Sequence, residues 1–150
     1  MFVIIGLGNP GQKYAETRHN AGFWFLDRLI RHSGAQFRTQ SKLFAETAKG
    51  SLHGRECILV KPTNWMNHSG QSVRAVLDYY KIPTQNMLVA YDDLDLPPGA
   101  ARLKSGGGHG GHNGLRDIFR HMQDPGFLRL RIGIGHPGLK EQVTPYVLSR

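Results

Sequence analysis

A chain of 150 residues, 39% of them hydrophobic, suffices for one core and is short for two domains. No apolar run approaches the ~20 residues that cross a bilayer, and no basic segment leads into a long apolar one, so neither a membrane span nor a secretory signal is expected. Nineteen Lys and Arg against eleven Asp and Glu leave a net charge of +8, which favours a polyanionic partner such as nucleic acid.

The basic residues are spread along the chain, so a binding face has to be assembled by folding. Residues 2–7 are apolar up to the first glycine and predict a short buried strand. Phe23, Leu26 and Ile30 recur at helical spacing within 20–31. Residues 44–51 and 55–61 read as two strands joined by a turn at His53 and Gly54. Cys57 lies in the second of these. As the single cysteine it forms no internal disulfide, and it reads as a buried structural thiol in a reducing compartment, the cytoplasm.

Val73, Val76, Leu77 and Tyr80 follow i, i+3, i+4, i+7 and predict a helix over 69–81. Residues 86–91, NMLVAY, predict a strand ended by the acidic turn DDLDLPPG. Leu115, Ile118, Phe119 and Met122 repeat the helical spacing. In RLRIGIG, Leu130, Ile132 and Ile134 alternate with Arg129, Arg131 and Gly133, which predicts a strand with the aliphatic side chains inward and both arginines on the opposite side. Strands and helices thus interleave along the chain. The expected fold is a layered α/β domain around a mixed sheet, the hairpin supplying the antiparallel part.

Gly6, Gly8 and Gly11 after the first strand form G-x-G-x-x-G, the pattern of a dinucleotide-binding turn. Its context is wrong. Helical periodicity begins only after His19, and the stretch about 20 residues past Gly11, IRHSGAQ, has neither strand nor carboxylate. A Walker loop fails because Gln12 follows Gly11 where lysine is needed.

In open α/β sheets, ligands gather at the carboxyl ends of strands. GLGNPG leaves the first strand at such an end, and DDLDLPPG leaves the 86–91 strand at another. If these strands are parallel neighbours, Asn9, His19, Asp92 and Asp93 converge on one crevice. A histidine beside a carboxylate is the minimal general base, and with no G-x-S-x-G elbow its target would be water.

Each residue also has an ordinary use. His19 opens a helix, the aspartates suit a turn before Pro97 and Pro98, and Asn67 and Asn113 stand where helix N-caps belong. His109 and His112 in SGGGHGGHNG, with the Asp92–Asp95 cluster, would fit a metal-dependent phosphoesterase. The same loop, flanked by Lys104 and Arg116, could instead offer backbone N–H groups to phosphate or ribose, and the net charge favours this use. A non-catalytic RNA-binding module would share the basic face.

Five motifs stand in order: GLGNPG..Y..TRHN.G, P.N.MN.SG, DDLDLPPG, GGGHGGHNGL and RLRIGIG. From Val3 to about Gly138 they resemble bacterial-type peptidyl-tRNA hydrolases. The resemblance implies one domain, 1–150, a three-layer α/β/α sandwich around a mixed, mostly parallel sheet. It implies a cytoplasmic, monomeric esterase of translation, without metal, cofactor, membrane or obligatory protein partner. Its substrate would be the ester between a peptide and the 3′-terminal ribose of tRNA. His19 and Asp92 match the catalytic pair, and Asn9 the asparagine that tells blocked from free aminoacyl-tRNA. Asn67 and Asn113 match substrate-holding asparagines, Tyr14, Trp65 and Met66 the surroundings of the terminal nucleotide and peptide, and Lys104 and Arg131 basic positions on the tRNA path. Trp65 departs from the family's phenylalanine or tyrosine. The family pattern also continues past YVLSR into C-terminal helices, so this chain is expected to lack them and to leave Val143, Tyr146, Val147 and Leu148 as an open apolar face.

Overall fold

Strands alternate with helices through the described residues, 1–122 and 124–150, of the computed structural model. In chain order these are β1 (Phe2–Gly6), α1 (Ala21–Ile30), β2 (Arg38–Gln40), β3 (Ala45–Leu52), β4 (Arg55–Pro62), α2 (Ser69–Tyr80), β5 (Met87–Asp93), β6 (Ala101–Ser105), α3 (Asn113–His121), β7 (Leu128–Gly133) and α4 (Val143–Val147). The seven strands form one sheet in the order β2-β3-β4-β1-β5-β7-β6. β4, β1, β5 and β7 are parallel at its centre, and β3 and β6 run against them. β2, antiparallel to β3, shares the central direction, so the sheet is mixed with most strands pointing one way.

The apolar run of β1 is buried on both faces, as a central parallel strand requires. Val3 and Ile5 pack against Val73, Val76 and Leu77 of α2 and Leu115 and Ile118 of α3. Phe2 and Ile4 face Leu26 and Leu29 of α1. Helices on both faces give the α/β/α layers. α2 is held by this packing more than by helix propensity, since each fully buried Val or Leu contributes ~1.5–3 kcal/mol while isolated helices of this length are marginal. It ends at Lys81, whose left-handed φ of 54° closes the C-terminus two residues before Pro83. His53 and Gly54 join β3 to β4 with φ of 51° and 78°, as a type I′ hairpin requires.

Three expectations are corrected. β5 runs into the acidic turn, with Asp92 and Asp93 still in register with Ile132 and Gly133. In β7 the two arginines do share a face, but it is the more buried one. Arg129 is 0% exposed, while Leu128 on the aliphatic side is 40% exposed. The cause lies outside the strand, in the rings of Phe119 and Phe127, which receive the guanidinium. Third, the apolar residues near the end do not stand open. Val143, Tyr146 and Val147 pack on Ala21, Leu94, Ile132 and Ile134, an apolar patch at the end of the sheet, and Leu148 remains exposed.

Candidate active site

Gly6 and Gly8 of the opening motif serve packing, while Gly11 adopts a left-handed φ of 94° with open space around it. A Cβ on Gly6 would lie 2.3 Å from the Gly22 carbonyl oxygen, and one on Gly22 would lie 2.4 Å from the Leu7 nitrogen. This mutual approach lays the start of α1 against the ends of β1 and β5, which are hydrogen-bonded parallel neighbours. His19, in the turn leading into α1, is thereby carried to the carboxyl end of β5.

There its Nδ1 lies 2.8 Å from Oδ2 and 3.0 Å from Oδ1 of Asp92. Both groups are buried, at 8% and 4% exposure. The second imidazole on this carboxylate is His112, whose Nε2 is 2.7 Å from Asp92 Oδ1. His112 is also the N-cap of α3, its Nδ1 accepting from the backbone N–H groups of Gly114 and Leu115 at 3.1 and 3.3 Å. With Nδ1 engaged as an acceptor, the ring donates through Nε2–H to Asp92. Burial alone would raise the Asp92 carboxyl. The attraction and hydrogen bond of His112, followed by those of His19, outweigh it and hold the group far below the usual carboxylate range. An ionised Asp92 in turn keeps the His19 proton on Nδ1 and leaves Nε2 as a base.

Asn113 is therefore the first helical residue and not the cap. Asn67 does not cap α2 either: it lies exposed in the turn Met66–His68, and the helix is preceded by His68.

The His19–Asp92 pair opens on a cleft of about 420 Å³ that Lys104, Asn113 and Arg131 also line. Arg131 is partly spoken for, its Nε donating to Asp93 Oδ2 at 2.6 Å. Asn9 does not line this cleft, contrary to the expected convergence. It lines a second one with Pro10, Phe23 and Trp24. A clamp holds its backbone: Asn9 N–H donates to Asn20 Oδ1 at 2.8 Å, and Asn20 Nδ2 donates to the Asn9 carbonyl at 2.9 Å. Asn9 Oδ1 accepts the Met66 N–H at 2.7 Å, tying the β1 loop to the Trp65 segment. Met66 is buried, whereas Trp65 is 53% exposed and meets Tyr14 edge-to-face at 5.6 Å.

Asn20 and the bond from His112 to Asp92 were not foreseen from the sequence. The only signal for Asn20 is its place beside His19 in TRHN. A metal reading through His109 is not supported, because that ring packs on Phe119 and its Nδ1 accepts from Gly111 N–H. The ligand-type atoms that do converge belong to His19, Asp92 and His112, within 4.8 Å of one another. Both ring nitrogens there lie at hydrogen-bond distance from the carboxylate, at 2.8 and 2.7 Å, so the three groups are held by one another as a hydrogen-bonded trio.

A buried histidine held by a carboxylate faces a cleft at the carboxyl edge of a mostly parallel sheet, the arrangement of a general base in an α/β enzyme. The family profile of peptidyl-tRNA hydrolase matches residues 3–150. The chain belongs to the peptidyl-tRNA hydrolase family. It is 57% identical over 148 residues to the peptidyl-tRNA hydrolase of Halorhodospira halophila, covering 99% of this chain and 76% of that one. With that of Alcanivorax borkumensis the identity is 54% over 149 residues, with the same coverage. The crystal structure of the Acinetobacter baumannii peptidyl-tRNA hydrolase superposes with a TM-score of 0.96 at 50% identity, covering 99% of this chain and 76% of that one. Among the described residues no helix is long and apolar enough to cross a membrane.

Proposed function

We infer that this chain hydrolyses peptidyl-tRNA, cleaving the ester between the peptide's C-terminus and the 3′-terminal ribose. The observation that carries the mechanism is the His19–Asp92 pair, whose Asp92 Oδ2 to Nδ1 contact of 2.8 Å leaves Nε2 free. His19 Nε2 takes a proton from water, and the hydroxide oxygen bonds to the ester carbonyl carbon. The tetrahedral intermediate collapses, the bond to the ribose oxygen breaks, and that oxygen takes the proton back from Nε2–H. Asp92 stabilises the imidazolium in between. The exposed carboxamides of Asn67 and Asn113 are the donors available to the oxyanion.

Asn9 has an occupied oxygen, so what it can offer a substrate is its Nδ2 donor. A peptide bond provides a carbonyl acceptor there and a free α-ammonium does not, which is a physical basis for choosing blocked over free aminoacyl-tRNA. Tyr14 and Trp65 present flat faces to the terminal base or peptide, with Met66 fixing their segment from below. Lys104 and Arg131 meet tRNA phosphates. Residues 1–150 act as one catalytic domain, monomeric and in the cytoplasm, where translation supplies the substrate.

The test is incubation with N-blocked and free aminoacyl-tRNA, with and without chelator, following ester cleavage. Cleavage of the blocked substrate alone, indifferent to chelator, is expected. Intact blocked substrate would overturn the function, and loss of activity with chelator would overturn the metal-free mechanism.

A further inference from the structure

Arg129 carries a positive charge into the core with no carboxylate partner among the described residues. The side chain is 0% exposed, and its guanidinium carbon lies 4.6 Å from the Phe127 ring centre and 4.9 Å from that of Phe119. Nη1 donates to the Gly108 carbonyl at 2.5 Å and Nη2 to the Pro125 carbonyl at 2.7 Å, while Nε has no partner among the described residues. A buried, under-satisfied cation is costly to keep, and packing alone would be served by leucine or methionine.

The group it grips explains its presence. Residues 106–111 comprise five glycines and His109, so the loop has almost no side chains with which to fix itself. Apart from the Gly111 N–H on His109 Nδ1, its tethers come from outside. Gly106 N–H donates to the Phe127 carbonyl at 3.2 Å, Arg129 holds Gly108, and the His109 ring packs on Phe119 at 5.6 Å. The latter two pass through the same stack of guanidinium and phenyl rings. Directly after the loop comes His112, on Asp92, and the Lys104 stem lies across Gly107, within 2.8 Å of where a Cβ would stand.

We propose that Arg129 is a positioning residue for the hydrolysis: its planar fork clamps the glycine loop to β7 and thereby holds His112 against Asp92. The proposal rests on the hydrolase reading for its kinetic part only. Lysine keeps the charge but cannot stack between two rings while reaching two carbonyls, so Arg129→Lys is the discriminating change. Phe119→Leu removes a stacking face and keeps apolar volume, as a second route should Arg129→Lys not fold.

Amide hydrogen exchange in the free protein reads the clamp directly. In either variant, residues 106–111 should exchange at least ~10-fold faster while amides of β1 and β5 keep their rates, the signature of local rather than global opening. On N-blocked aminoacyl-tRNA, kcat should fall ~10-fold with KM within ~3-fold, because the disturbed contact lies behind the base and not on the phosphates. Unchanged loop exchange, exchange rising equally through β1 and β5, or a loss carried wholly by KM would each overturn the assignment. A wild-type protein inactive on this substrate would instead overturn the function, with the exchange result still judging the clamp.

Discussion

Asp92 binds two imidazoles with one carboxylate, and the variants of this trio separate its parts. His19→Ala removes the base and should lower kcat at least ~100-fold with KM nearly unchanged, since general bases typically contribute 10²–10⁴-fold. Single-turnover cleavage of N-blocked aminoacyl-tRNA checks this. Asp92→Asn should also lose activity, because a carboxamide can donate to Nδ1 and hold the tautomer whose Nε2 already carries a proton. The same residue sets a pH dependence of stability. The folded carboxyl is depressed below its unfolded value, so its contribution is complete above about pH 5 and is lost as pH falls through and below the ordinary carboxylate range, about 3.9. Urea unfolding of wild type and Asp92→Asn should therefore give a stability gap that narrows between about pH 5 and pH 2. A gap that stayed constant would mean that Asp92 titrates normally.

At the scale of elements, α3 does two things through one side chain. His112 caps its N-terminus and reaches Asp92. His112→Ala should cost ~1–3 kcal/mol, the sum of a lost cap and a weakened buried carboxylate. His112→Asn restores an N-cap oxygen but is too short for Asp92, so stability should recover while kcat does not. Equal recovery of both would show that only the cap matters. This cap also marks how far the sequence could be read. β1, β5 and α2 announce themselves because burial on a face imposes a period, and His19 and Asp92 follow from two strand ends. β2 and β6 were missed because they are sheet edges; all five residues of β6 are exposed, so no apolar pattern forms. The burial of Arg129 and the Asn9–Asn20 clamp were missed because they depend on partners that only folding supplies. Histidine is also an unusual cap, and nothing local in GGHNG distinguishes it from asparagine.

For the whole molecule, a charge of +8 with the basic groups dispersed means that affinity for a polyanion is collected from many weak contacts. Lys104 is exposed beside the cleft, whereas Arg131 is already paired to Asp93. Lys104→Ala should raise KM, leave kcat largely intact and reduce the slope of log affinity against log salt by about 0.7–0.9, one phosphate contact. Arg131→Ala should change that slope less. An unchanged slope in Lys104→Ala would remove this lysine from the tRNA path. The exposed edge formed by Trp65 and Tyr14 has a consequence for measurement. The chain has two tryptophans, Trp24 and Trp65, and both are partly in water, at 41% and 53% exposure. Its tryptophan emission therefore comes from two partly exposed indoles, and no buried indole contributes. A nucleobase stacking on Trp65 should quench that emission, and Trp24→Phe leaves Trp65 as the sole reporter. Titration of Trp24→Phe with deacylated tRNA should give a saturable fall in emission that Trp65→Phe abolishes, a label-free record of where the 3′ end arrives.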